Sequence, residues 1–168
     1  MSTLFVDTIN EKTTNNGVYI PGHVLQVKET KSTARTTTSS TSYVDFLTVS
    51  ITPSSTSSKI LIDARLYVGT NWWNNRSKFA IARDSTIITG NSGNLWPWQY
   101  GADSSNSLYE FMLNTVILLD SPATTSAITY KAQLANQNSG TTLAMNGNYQ
   151  TSGTSYGQST IIVMEIGG

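Results

Sequence analysis

His23 is the only histidine in the chain, beside the Pro21-Gly22 bend. One imidazole cannot build a His-based metal site, and its spacing supports no Ser-His-Asp relay, so it reads as a structural or surface residue. Glycoside hydrolysis needs two carboxylates flanking a cleft. Glu110 with Asp120, or Asp84 with Asp103, are the pairs one could propose, as any chain with ten acids would allow. Glu110 sits on the less continuous face of an apolar run, where pairing with Arg or Lys is the expected role. There is no Gly-rich phosphate loop, Walker motif or EF-hand loop, and Asp84 and Asp103 stand too isolated to predict calcium. The expectation is a protein that is not an enzyme, with no catalytic residues, no metal and no cofactor.

The remaining chemistry is aromatic. All four tryptophans fall in two loop-like segments. Trp72, Trp73, Asn74 and Asn75 form the first; Trp96, Trp98 and Tyr100 form the second. Flat apolar rings beside amide donors suit sugar rings, and Trp and Tyr are favoured in binding surfaces generally. These seven residues are the candidate ligand contacts. The competing reading packs the same rings over one end of the fold or against a neighbouring subunit.

The elements that must position them are strands. Period-2 alternation and turn clusters dominate, and helical periodicity is absent. Residues 43–52 put Leu47, Val49 and Ile51 on one face; residues 59–68 put Ile60, Ile62, Ala64, Leu66 and Val68 on one face, with Asp63, Arg65 and Tyr67 opposite. Residues 32–42, rich in Ser and Thr, predict a polar loop or edge. Shorter strands are expected at 77–83 and 85–89 around Asp84, at 125–134 and at 141–145. The pattern describes an antiparallel β-sandwich or jelly roll. The first 22 residues read as a short extended arm, and residues 23–168 as the sandwich.

Two strands break the rule of one wet face. In residues 107–120, SLYEFMLNTVILLD, the odd positions Tyr109, Phe111, Leu113, Thr115, Ile117 and Leu119 line one side. Leu108, Met112, Val116 and Leu118 line the other. The last strand puts Ile161 and Val163 one way and Ile162, Met164 and Ile166 the other. A second surface must cover such strands, most simply another copy of the chain. Leu108, Met112, Val116, Leu118, Ile162, Met164 and Ile166 are the candidate contact residues.

Composition bounds the rest. At 168 residues, one compact domain with an arm is expected. Only 12% of residues are charged, against about 25% in typical soluble proteins. Solubility therefore rests on Ser, Thr, Asn and Gln. Zero net charge argues against nucleic acid and an anionic membrane as partners. The absence of cysteine excludes a disulfide framework and thiolate metal sites. No apolar run approaches the ~20 residues of a membrane helix, so no membrane insertion is expected. The N-terminal residues lack the basic and apolar regions of a signal peptide, so synthesis and assembly in a cytoplasm are expected.

Three segments carry a family resemblance: TLFVDTINEKTTNNGVYIPGHVLQV at the start, TVSITPSSTSSKILIDARL in the middle and STIIVMEIGG at the end. They resemble fibre proteins of tailed bacteriophages, particularly marine podoviruses of cyanobacteria and related oceanic hosts. The resemblance covers both ends and much of the first half; the tryptophan segments match no pattern in it. It implies a homotrimeric fibre head, a jelly roll similar to the tumour-necrosis-factor/C1q type, located in the virion as a short tail fibre or head fibre. The seven contact residues would then sit at the trimer axis. The chain departs from longer members in having no shaft or large anchoring domain. Attachment to other virion proteins, in tail or capsid, would thus run through residues 1–22, with Leu4, Phe5, Val6 and Ile9 as candidate anchors. The head loops would contact a host surface glycan or protein. The alternative is a capsid decoration or cement protein with a purely structural role.

Overall fold

The computed structural model describes residues 8, 22–70, 77–89, 111–147 and 157–168. These residues contain ten strands and no helix. In order they are β1 (Val24–Ser32), β2 (Thr36–Thr38), β3 (Val44–Ile51), β4 (Lys59–Thr70), β5 (Ser77–Arg83), β6 (Thr86–Ile87), β7 (Phe111–Asp120), β8 (Ile128–Asn136), β9 (Leu143–Met145) and β10 (Ser159–Ile166). All pair antiparallel, in two sheets. One runs β1-β10-β4-β9-β2 with β7 also on β4; the other runs β3-β8-β5-β6. One core cluster draws Ile60, Ile62, Leu66 and Ile161 from the first sheet and Leu47, Phe79, Tyr130 and Leu134 from the second. The fold is all-β, consistent with the expected sandwich.

β4 organises the first sheet. Its inward row Ile60, Ile62, Ala64, Leu66 and Val68 is fully buried, as the alternation predicts. β7 pairs along Ile60–Gly69 on one edge. The other edge is divided: β10 takes Lys59–Arg65, and β9 takes Val68–Thr70. The backbone of Tyr67 lies between them and needs partners, because an unpaired buried peptide group is costly. Asn146 and Ser159 supply them. The Asn146 amide N–H donates to the Tyr67 carbonyl at 2.9 Å, and the Tyr67 N–H donates to Ser159 Oγ at 3.0 Å. Ser159 Oγ donates in turn to Asn146 Oδ1 at 2.6 Å, and Asn146 Nδ2 donates to the Ser32 and Ala34 carbonyls, each at 3.0 Å. Asn146 adopts φ 57°, a left-handed conformation that Asn tolerates better than most residues. A buried asparagine thus welds the place where one strand changes neighbours.

The Ser/Thr tract contains a strand: β2 pairs β9 at the end of the first sheet, so the tract is partly edge rather than wholly loop. β-branched threonines suit an edge position.

Candidate functional site

The antiparallel register fixes which side chains share the outer face of the first sheet. One row runs Val27, Met164, Leu61, Leu119 across β1, β10, β4 and β7. The next runs Glu29, Ile162, Asp63, Ile117, and Ile166 and Val24 extend the face beyond the first row. Tyr67 and Leu113 extend it the other way. The face is wet in this single chain: Ile117 is 66% exposed, Val27 53%, Leu119 51% and Leu113 47%. Several large aliphatic side chains exposed side by side on one face are the kind of patch that marks an interaction surface. The face also holds charges, and two pairs of them meet within the chain. Arg65 pairs bidentately with Asp63 at 2.8 and 3.1 Å, and Lys31 lies 4.0 Å from Glu29.

The outer face of the second sheet differs in kind. There Asp45 accepts from Gln133 Nε2 at 2.6 Å and pairs with Lys131 at 2.8 Å, which together hold its carboxyl below the usual range. Ser50 and Thr129 hydroxyls meet at 2.9 Å. The second face is polar in every pair named, while the first sets exposed aliphatic side chains among its ion pairs.

The proposed contact residues divide between the two sides of the first sheet. Ile162, Met164 and Ile166 lie on the outer face. On β7 the phase is the opposite of the expected one: Val116 and Leu118 pack against the core, Met112 shares their row, and Leu113, Ile117 and Leu119 point outward. The cause stands at the end of the row. Asp120, in the same phase as Leu118, is held inside by Arg83 Nη1 at 2.9 and 3.1 Å and by the Tyr130 hydroxyl at 2.7 Å. Burial, then this bond, drives the Tyr130 phenol far above its usual range. Asn114, on the same row, is turned in and only 8% exposed, and its Nδ2 has no hydrogen-bond partner among the described residues. A polar residue in the row does not mark the wet side when its neighbours anchor it inward. The outward residues Leu61, Leu113, Ile117, Leu119, Val24 and Val27 were missed; the uncharged odd row of β7 was their one signal.

Among the described residues, the other candidates do not assemble a catalytic site. Asp120 is committed to Arg83 and Tyr130. Asp84 shapes the β5–β6 turn at φ 53°, accepting from the Thr129 N–H at 2.9 Å and donating its own N–H to the Thr129 carbonyl at 2.7 Å. Glu110 and Asp103 lie outside the described residues, as do Trp72, Trp73, Asn74, Asn75, Trp96, Trp98, Tyr100, Leu108, Leu4, Phe5, Val6 and Ile9. Among the described residues, no three His, Cys, Asp or Glu side chains gather as metal ligands. An open groove of about 370 Å³ runs between β2 and β3, lined by Thr36, Thr37 and Thr38 opposite Val44, Asp45 and Phe46. Its one carboxylate is the Asp45 already engaged by Lys131 and Gln133.

No protein-family model matches the chain, and no curated protein matches it. The outer face of the first sheet is the candidate site on geometry alone.

Proposed function

We propose that this chain is a non-enzymatic structural protein of a tailed-bacteriophage particle. It acts as a homotrimer whose copies meet on the outer face of the β1-β10-β4-β7 layer. The observation that carries the reading is the exposed apolar face itself. Water-exposed Ile117, Leu119, Val27 and Leu113 are the kind of surface an oligomer covers, and standard interfaces take ~800 Å² from each partner. Strand order supports the finer fold: β1-β10-β4-β7 facing β3-β8-β5-β6 interleaves the two halves of the chain as nested Greek keys do in a jelly roll. Zero net charge leaves copies of the chain without strong mutual repulsion, which suits self-association.

On this reading residues 1–22 attach the trimer to other virion proteins, and the tryptophan segments face a host glycan or protein. Light scattering at micromolar concentration tests it. The chain is expected at three times its 18.2 kDa mass. Ile117→Glu, which sets a charge on the face without touching the core, is expected to give a folded monomer. A monomeric unsubstituted chain overturns the proposal.

A further inference from the structure

Glu165 is the only charged residue among the described ones that is completely buried. It stands on β10 opposite Ile60 of β4 and opposite Gln26 of β1. Its carboxylate accepts from Gln26 Nε2 at 2.6 Å and from the Ser54 N–H and Ser54 Oγ, both at 2.7 Å. Gln26 Nε2 also donates to the Thr52 carbonyl at 2.6 Å. A bulge brings Gln26 there: the register slips between Val24 and Gln26, turning the amide inward toward the carboxylate. Three separate elements, β1, the β3–β4 turn and β10, are therefore joined through one side chain.

Among the described residues, no cation shares this site. None of the ion pairs among the described residues involves Glu165. The nearest basic residues by register are Lys28, opposite Val163, and Lys59, opposite Ile166; neither pairs with it. The facing groups from β1, the turn and β4 are Gln26, Thr52, Ser54, Ser58 and Ile60, all neutral. The charge is held by donors alone. An ionised carboxylate is acceptor-only and matches three donors; a protonated one carries an O–H that needs an acceptor among them. Ser54 Oγ, and the buried Ser58 Oγ that has no other partner among the described residues, can accept that O–H, but the neutral acid holds the Gln26 and Ser54 donors more weakly than the charged one does.

We infer that Glu165 is an acid-labile clasp: protonating it releases the start of β1 from the sheet while the rest of the fold stays paired. Burial alone would raise this carboxyl, but the bonds from Ser54 and Gln26 outweigh it and hold it below its ordinary value. With the folded value lowered, the clasp is fully effective above the ordinary carboxylate range and is lost as pH falls through the lowered one. β1 carries Val24 and Val27 of the apolar face, so its release would also strip one edge from the proposed trimer contact. That consequence rests on the proposed assembly; the clasp does not.

Hydrogen exchange on the full chain, corrected for intrinsic rates and compared between β1 and β4 from pH 7 to pH 3, tests it. β1 is expected to lose protection relative to β4 as pH falls below the ordinary carboxylate range. In Glu165→Gln, β1 protection is expected to be low at every pH, with no acid transition of its own. Gln26→Ala, which cuts only the link to β1, should loosen β1 at neutral pH while β4 stays protected. The clasp is overturned if β1 and β4 lose protection together as pH falls, or if Glu165→Gln or Gln26→Ala keeps the unsubstituted pH profile. Light scattering at pH 7 reads the trimer separately, so failure of one is not failure of the other.

Discussion

Single polar residues settle where this fold is rigid. Asn146 spends its amide on two carbonyls and its carbonyl on Ser159, and its backbone N–H closes the gap in β4. Asn146→Ala should cost about 2–4 kcal/mol in denaturant unfolding, because several buried groups lose partners and Ala is strained at that φ. Asn146→Gly relieves the strain but not the lost bonds, so it should recover only about 1 kcal/mol of that cost. Recovery of the full loss would mean that strain, not hydrogen bonding, sets the energy. None of this is legible in the sequence. An asparagine at the head of a loop-like stretch looks the same whether it faces water or plugs a seam, and only the strands converging on Tyr67 make it a plug. Glu165 is hidden for the same reason: its inward phase is readable from Ile161 and Val163, but its donors lie on two distant segments.

At the scale of elements, period-2 alternation carries most of the architecture. β3, β4 and β10 fall where Leu47, Ile62 and Val163 place them, because each has one row committed to the core. β7 does not yield so easily. Both of its rows are apolar, so pattern alone leaves its phase open, and Asp120 decides it through Arg83 and Tyr130. The cost of that choice falls on Asn114, turned inward with no partner for its Nδ2 among the described residues. Asn114→Leu, of similar volume, should therefore leave the fold intact and raise stability by about 1 kcal/mol, measured by urea unfolding. A loss of stability would show that the amide has a partner in the assembled protein. β2 was half legible: the Ser/Thr tract shows an edge, but three residues without an apolar row give no phase.

For the whole molecule, the contrast between the two outer faces matters most. An antiparallel sandwich standing alone would wet both; here one carries Lys131, Asp45 and Gln133 and the other Ile117, Leu119 and Met164. That two strands are apolar on both rows could be read from the sequence, while the residues forming the outer face needed the register. If copies associate through this face, folding and assembly are linked by mass action. The thermal midpoint should then rise by several degrees between about 1 and 100 μM chain, and Ile117→Glu should abolish the dependence. A midpoint independent of concentration in the unsubstituted chain would leave the face without a partner copy.

The place of β10 bears on how the protein is made. It is the last of the described strands yet lies between β1 and β4 in the sheet. A nascent chain emerging from the ribosome holds β1 without its partner among the described strands until β2 to β9 have all been translated. The second sheet, built from β3, β5, β6 and β8, can close earlier. During that interval the edges of β1 and β4 that await β10 are bare, and two nascent chains on one message could pair them with each other. Insertion of Ser159–Ile166 is the step that ends this exposure, and a ribosome stalled before it would hold a half-built sheet open to its neighbours.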